Sequence, residues 1–306
     1  MSMTMLVGSL FAIATSVFIG LADFLAGYLS RRMSTFLVLG LANLTAAILI
    51  GVYVFHRGLM TMGPSVAITG TLYGLAELGG NVLYIYALSR GGVGVISGIS
   101  TLVVLPPVIY AFATGMPPSA LQSIGVVILL AGVLMLGWPQ EGGTRTKPSI
   151  IALACVAVLI IGLGDIALSI GSAMDPALAA FFGFALAPVA IVIGLIVGRR
   201  SRGASDISAG DLPGEPMKVE SMMDRRVLAI VTALAVVAAG VMFLLRDVSF
   251  AFALSFSNVG VAAALSALDP LIIAPLGFFF LKEKMTRMQI AGLGVALIGS
   301  IFALVG

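Results

Sequence analysis

Residues 19–23 read IGLAD and residues 161–165 read IGLGD, so one five-residue motif occurs twice, each time inside a strongly apolar stretch. Other short segments repeat in the same order along the chain. They are Ala87–Leu88–Ser89 with Ala253–Leu254–Ser255, Val93–Gly94–Val95 with Val259–Gly260–Val261, and Gly125 and Gly132 with Gly292 and Gly299. Segments that recur in order indicate a duplicated structural unit.

The spacing between the copies changes at one place in the chain. It is 142 residues at the first motif (19 to 161) and 166 or 167 at the later segments (87 to 253, 125 to 292). The increase matches one long polar insertion, residues 198–226. We therefore predict a first repeat at 1–140 and a second at 149–306, with this insertion as a loop of the second. The loop is rich in Gly, Ser, Asp and Pro without an apolar period, so we expect it to pack weakly.

The composition predicts an all-α integral membrane protein. Hydrophobic residues make up 60% of the chain, charged residues only 9%, and the mean hydropathy is +1.18; soluble domains have about a quarter of their residues charged. Ten apolar runs are long enough to cross a hydrocarbon layer of roughly 30 Å, five in each repeat. They are 5–29, 35–55, 66–89, 93–114, 119–138, 149–172, 177–197, 229–255, 259–281 and 288–306. Because lipid cannot satisfy backbone amides, these spans are predicted to be helices.

An odd number of spans per repeat turns the second repeat upside down relative to the first. The charges agree, since 14 of the 16 Lys and Arg residues fall in the odd-numbered connections between spans. By the positive-inside rule these connections are cytoplasmic, which predicts both termini outside, in a bacterial inner or other plasma membrane. The net charge of +3 comes from loop residues and indicates no nucleic-acid site. The single cysteine, Cys155, excludes an internal disulfide.

Six charged residues lie inside the predicted spans. A charge at the bilayer centre costs about 2.5–3.5 kcal/mol on insertion scales, so such residues normally face a cavity or one another. They are Asp23, Glu77, Asp165, Arg246, Asp247 and Asp269. Five acids cannot all be neutralised by one arginine. Either some of these acids carry a proton, or the cavity that they face attracts cations.

The third predicted span carries a polar stripe, which is the main candidate for a substrate site. Tyr73, Glu77, Asn81 and Tyr84 are spaced four, four and three residues apart, which places them on one helix face. The later repeat spacing maps Glu77 onto Phe243 and Asn81 onto Asp247. We therefore expect Phe243, Asp247 and Phe250 to face the stripe from the eighth span. Arg246, next to Asp247, is expected to line the same cavity. The alternative is purely structural, with Arg246 pairing with Glu77 or Asp269 and with the aromatic residues only packing.

Three aspartates complete the set of candidate residues. Asp269 precedes Pro270 within a span, where proline interrupts the helix, and interrupted helices near the midplane often hold transporter sites. We expect Asp269 to line the same cavity as the stripe. Asp23 and Asp165 end the two motif copies and are expected towards opposite ends of the pathway, as candidates for proton coupling. Their alternative role is to cap helices or reach the membrane surface.

The clearest family pattern is in residues 252–306, FALSFSNVGVAAALSALDPLIIAPLGFFFLKEKMTRMQIAGLGVALIGSIFALVG. An Ala-Leu pair, a small-residue helix with a central Pro, a basic and acidic turn, and a glycine-spaced last helix follow in order. This run resembles the drug/metabolite transporter superfamily, specifically its ten-helix EamA-type members. The chain departs from that family at Ile19–Gly20, where Trp-Gly is usual, and at Asp23, where an acid is uncommon. The resemblance implies ten helices around a central cavity, with the fifth and tenth outside it.

The resemblance and the residues together predict a secondary transporter that exports small amphipathic or zwitterionic metabolites such as amino acids. Proton-coupled efflux of organic cations is the nearest alternative. We expect a monomer in the lipid bilayer with a small-molecule substrate, protons as a candidate second ligand, and no cofactor, metal or catalytic residue. A channel or scaffold is the weaker interpretation, because no ring of filter carbonyls is visible.

One enzymatic hypothesis competes with transport. Residues 162–165 read GLGD, which fits the GxGD string of presenilin-type intramembrane aspartyl proteases, and Asp23 could serve as the partner aspartate. The Tyr-Asp pair expected around that partner is absent, and no Pro-Ala-Leu occurs in a late span. The repeat accounts for Asp165 without proteolysis.

Overall fold

Eleven α-helices make up the part of the chain that the structure, a computed structural model, describes: residues 3–30, 33–59, 63–90, 99–136, 147–201, 225–269, 272 and 287–305. No strand occurs in these ranges. The helices are α1 (Met3–Ser30), α2 (Thr35–His56), α3 (Pro64–Arg90), α4 (Leu105–Ala113), α5 (Ala120–Leu136), α6 (Pro148–Ser172), α7 (Pro176–Gly183), α8 (Ala187–Ser201), α9 (Arg225–Phe256), α10 (Val259–Ser266) and α11 (Arg287–Val305). Two 3-10 turns, Thr101–Val104 and Phe184–Leu186, precede α4 and α8.

Within the described ranges, five segments are long and apolar enough to cross a membrane. They are Met3–Asp23, Phe36–His56, Pro148–Ser172, Pro176–Ile196 and Ala229–Phe256. Shorter apolar helical segments cover Leu102–Ala113, Ala120–Met135 and Ile290–Ala303. Large apolar side chains such as Val52, Ile109 and Leu163 are exposed on the outer faces, whereas Asp165 and Asp247 are buried. Apolar outside and charged inside is the arrangement expected of a helix bundle surrounded by lipid.

The described helices differ from the predicted spans at a few places. The seventh predicted span, 177–197, is not one regular helix, because the 3-10 turn before Pro188 divides it into α7 and α8. Proline lacks the N–H that a continuous helix needs, which accounts for the division. The predicted loop 198–226 begins late, since α8 continues to Ser201. Residues 202–224, Pro270 and most of 271–286 lie outside the described residues, as do 91–98 of the fourth predicted span.

Polar side chains begin several helices by accepting hydrogen bonds from otherwise unpaired backbone N–H groups. The Asp175 carboxylate accepts from the Leu178 amide at 2.7 Å at the start of α7. Ser119 and Gln122 form a reciprocal capping box before α5, with N···O distances of 2.9 and 3.1 Å. These caps fix where the helices start relative to the bundle.

The main helix contacts join the first half of the chain to the second. α1 packs along α9 and α3 packs along α6, while α2 lies against α8, α4 against α10 and α5 against α11. In the predicted repeats, α1 and α6 are the first helices and α3 and α9 are the third. The α1–α9 contact and the α3–α6 contact are therefore equivalent, since each joins the first helix of one repeat to the third helix of the other. The remaining pairs each join equivalent helices.

The repeated motif makes the same contact twice. Gly20 lies against Asp269 and Ile272, and Gly162 lies against Val103 and Pro106. Adding the later repeat spacing of 166 to positions 103 and 106 gives 269 and 272. Each copy of the motif therefore packs its glycine against equivalent positions in the other half.

The four glycines spaced seven apart bring α5 and α11 into backbone contact. A Cβ added to Gly132 would lie 2.3 Å from the Ala296 amide nitrogen, and one added to Gly299 would lie 2.2 Å from the Leu129 nitrogen. Small residues commonly form such close interfaces between membrane helices. α5 and α11 pack mainly on each other, at one side of the bundle.

Candidate functional site

A narrow cavity lies between α2, α3, the α7–α8 segment and α9. Its empty space is about 470 Å³, including the part that is open to the outside. Two kinds of residue line it: polar and charged residues from α2, α3 and α9, and apolar residues from all of these segments. They are Leu39, Asn43, Tyr73, Gly74, Glu77, Leu78, Asn81, Gly183, Phe184, Leu186, Ala187, Ala190, Phe243, Arg246 and Asp247.

The polar stripe of α3 forms one wall of this cavity. The Asn81 side-chain amide donates to the Glu77 carbonyl at 2.8 Å and to the Glu77 carboxylate at 3.0 Å. Residues four apart on a helix are neighbours, which makes this double contact possible. The hydrogen bond from Asn81 holds the Glu77 carboxylate in a defined position towards α9.

Arg246 of α9 connects the two walls. Its Nε donates to Asp247 Oδ1 at 2.5 Å, and its Nη2 lies 3.4 Å from Glu77 Oε2. The guanidinium carbon lies 4.9 Å from the centre of the Phe243 ring, within the range of a cation–π contact. One arginine therefore links α3 of the first half to α9 of the second.

The guanidinium keeps hydrogen-bonding capacity. None of the described residues accepts a hydrogen bond from Nη1, and the Arg246 side chain remains 15% exposed within the cavity. Guanidinium groups bind carboxylates strongly because two parallel N–H donors match two oxygens. Asp247 is 96% buried in its side chain and Glu77 is 82% buried, so few water molecules compete with a ligand here.

Six of the predicted substrate residues come together at the cavity, and two do not. Tyr73, Glu77, Asn81, Phe243, Arg246 and Asp247 line it. Tyr84 instead packs beside Ile99, Ile150 and Leu153 in a separate apolar cluster. Asp269 follows α10, lies beside Gly20 of α1 and is not among the lining residues.

Asp165 lies close to the charged residues of the cavity without lining it. It is only 7% exposed, and its charge interacts with those of Glu77, Arg246 and Asp247. Asp23 is exposed, and its charge interacts with those of Arg246 and Asp269. Neither aspartate is among the residues that line the cavity.

Two features of the cavity were missed from the sequence. Asn43 lines it from α2, although it is the only amide side chain in the second predicted span and could have been selected for that reason. Neither the charged residues of the spans nor the stripe of the third span points to it. The 3-10 turn at 184–186, which presents Phe184 and Leu186 to the cavity, is signalled in the sequence by Pro188.

Within the described ranges, no three His, Cys, Asp or Glu residues cluster so as to hold a metal ion.

The model of the EamA-like transporter family matches residues 148–305, just over half of the chain. The chain belongs to the EamA-like transporter family. This confirms the resemblance to the drug/metabolite transporter superfamily, of which the family is part. It makes the chain a multi-pass membrane transporter and places it in a family of transporters and not of enzymes.

The comparison with solved structures concerns the fold alone. One crystal structure, titled only as that of a protein, aligns with 98% of this chain and 96% of its own at a TM-score of 0.73 and 17% identity. At that identity the likeness carries no information on substrate. None of the curated proteins compared with the chain matches it.

Proposed function

We propose that this EamA-like transporter is a secondary carrier that exports small amphipathic or zwitterionic metabolites, such as amino acids, by alternating access. One observation carries the proposal. Arg246 lies between Glu77 and Asp247 in a cavity formed by helices of both halves, and its Nη1 has no acceptor among the described residues. A positive group flanked by acids is complementary to a ligand that carries both charges.

The proposal includes ten transmembrane helices in two inverted repeats, 1–140 and 149–306. Support comes from the equivalent contacts of Gly20 and Gly162 and from the exchange of α1–α9 with α3–α6. The family model also covers nearly the whole second repeat. Inverted repeats allow a carrier to open alternately to either side by exchanging the conformations of its halves.

The charge distribution of the loops supports an orientation with both termini outside the plasma membrane. A cysteine introduced at position 208 should then react with impermeant reagents only from the cytoplasmic face. Reaction from the extracytoplasmic face alone contradicts this orientation.

The lining residues suggest how a zwitterion is held. Its carboxylate accepts hydrogen bonds from the Arg246 guanidinium, and its ammonium lies beside the Glu77 carboxylate. Leu39, Phe184 and Phe243 surround the apolar part of the ligand. Charge-assisted hydrogen bonds of this kind are about twice as strong as neutral ones, so both charged ends contribute to affinity.

Proton-coupled efflux of organic cations is the second candidate function. It is favoured by the excess of acids, since Glu77, Asp165 and Asp247 are all close enough to Arg246 for their charges to interact. Tyr73 and Phe243 line the cavity, and the Phe243 ring already holds one cation, the Arg246 guanidinium, at 4.9 Å. A cation in this site would need no contact from Arg246.

The two candidates predict different ligands in a thermal-shift assay. We expect leucine to stabilise the purified protein, and its two analogues that lack one charge, 3-methylbutylamine and 4-methylpentanoate, to stabilise it less. A ligand at 100 times its Kd stabilises by about 2.7 kcal/mol, which is readily measured. Stabilisation by the amine equal to or greater than that by leucine supports cation efflux instead. A response to neither leucine nor any other amino acid in a full panel overturns the zwitterion proposal.

A further inference from the structure

The two aspartates that end the repeated motif have opposite surroundings. Asp165 is 7% exposed, whereas Asp23 belongs to the exposed residues. Their positions are nevertheless equivalent, because Gly20 and Gly162, three residues before each aspartate, make matching contacts with the other half. The two aspartates therefore differ in exposure although they stand at equivalent positions of the two halves.

Asp165 is buried among charges that do not neutralise it. Glu77 and Tyr73 reach it from α3, and Arg246 and Asp247 from α9. Arg246 is already bonded to Asp247 and Glu77, and no described residue donates a hydrogen bond to the Asp165 carboxyl. A buried carboxylate without a hydrogen-bond donor is costly to keep charged, which favours the protonated form.

Asp23 is exposed, and it also lies close to charged and titratable groups of other helices. The charged or titratable groups whose fields reach it lie on inner faces of other elements: Tyr84 and Glu77 on α3, Arg246 on α9, and Asp269 after α10. A carboxylate that faces these groups and is still exposed lies where water enters the bundle. It can exchange its proton with that water.

We propose that Asp23 and Asp165 are a pair of equivalent proton sites, one for each face of the membrane, whose surroundings are exchanged during the transport cycle. This rests on the alternating-access function proposed above. In the present conformation Asp165 is shielded from water and holds a proton, whereas Asp23 is accessible to water and exchanges protons with the solution. In the opposite conformation Asp165 becomes accessible to water and releases its proton, while Asp23 becomes shielded from water and keeps one. The charge of Arg246 interacts with both aspartates, and Arg246 thereby couples this exchange to the substrate.

Sided cysteine labelling tests the exchange. In a Cys155→Ala background, Asp23→Cys and Asp165→Cys should react with an impermeant methanethiosulfonate reagent from opposite faces, each from one face only. Leu163→Cys is the control, because Leu163 is 59% exposed next to Asp165 and faces lipid, so it should not react. Reaction of both aspartate positions from the same face, or of neither from any face, overturns the proposal.

Proton and substrate fluxes in proteoliposomes test the chemistry. With a pH-sensitive dye inside the vesicles, the wild-type protein should move protons against substrate in a fixed ratio, and that ratio should fall to zero in Asp23→Asn and Asp165→Asn. An unchanged ratio in either variant overturns the proposal, as does a wild-type flux driven by a sodium gradient alone. Wild-type substrate transport without any proton movement refutes the proton sites and leaves the transport function standing; no wild-type transport refutes that function itself. If an Asn variant does not fold, the labelling result decides.

Discussion

Replacing Arg246 by alanine is expected to lower the affinity for a zwitterionic substrate at least about 30-fold, with transport falling accordingly. Loss of one partner of a buried charged hydrogen bond costs about 2–5 kcal/mol, and 1.4 kcal/mol corresponds to a factor of ten. Transport of an organic cation should persist or improve, because the acids no longer share their charge with the guanidinium. Radiolabelled leucine and a cationic amine in proteoliposomes measure both effects.

The same substitution also destabilises the protein, which has to be separated from its effect on binding. Without Arg246, the Glu77 and Asp247 carboxylates stay buried and uncompensated, a change that costs about 3–5 kcal/mol. Adding Glu77→Gln and Asp247→Asn should therefore restore the melting temperature without restoring leucine transport. Return of leucine transport together with stability would mean that Arg246 only neutralises the acids. Arg57→Ala is the matched control, since Arg57 is exposed at the end of α2.

Gly299→Ala and Gly132→Ala are each expected to cause a large loss of stability for a single added methyl group. In each case the new Cβ meets a backbone nitrogen of the facing helix at 2.2 or 2.3 Å, so α5 and α11 must move apart. Overpacking of this kind costs about 1–3 kcal/mol. The melting temperature of the purified protein measures the loss.

Gly294→Ala provides the control on the same helix. A Cβ at this position has no neighbour within 4 Å, so alanine should leave stability unchanged or raise it slightly through its better helix propensity. Equal melting temperatures for Gly294→Ala and Gly299→Ala would contradict the close contact between α5 and α11.

Much of the site between α3 and α9 could be predicted from the sequence, because the helical period and the spacing of the repeats indicate the same residues. The helical spacing selected Glu77 and Asn81, and the repeat spacing pointed from them to Phe243 and Asp247. The structural alternative, a pairing of Arg246 with Glu77, is also present in the structure. It does not exclude a ligand, because the guanidinium still has donors without an acceptor among the described residues.

Other features depend on how the helices cross, which a single sequence does not specify. Tyr84 lies on the same face of α3 as Glu77 but about 10 Å further along the axis, at seven residues and 1.5 Å per residue. At that level α3 meets apolar residues, including Ile150 and Leu153 of α6, and not the cavity. Asp165 lies close to Glu77 because α6 packs along α3. The unequal exposure of Asp23 and Asp165 is also invisible in the repeat, since the motif is nearly identical in both copies.

Counterflow in proteoliposomes tests the central claim, a carrier with one substrate site that opens alternately to two sides. Vesicles are loaded with an unlabelled amino acid that stabilises the purified protein and are then diluted into a trace of the same compound in labelled form. The account predicts that internal label rises transiently above its equilibrium level, and that Arg246→Ala abolishes this overshoot. Label that enters rapidly but never exceeds equilibrium would indicate an open pore and contradict the account, as would the absence of uptake for every amino acid in the panel.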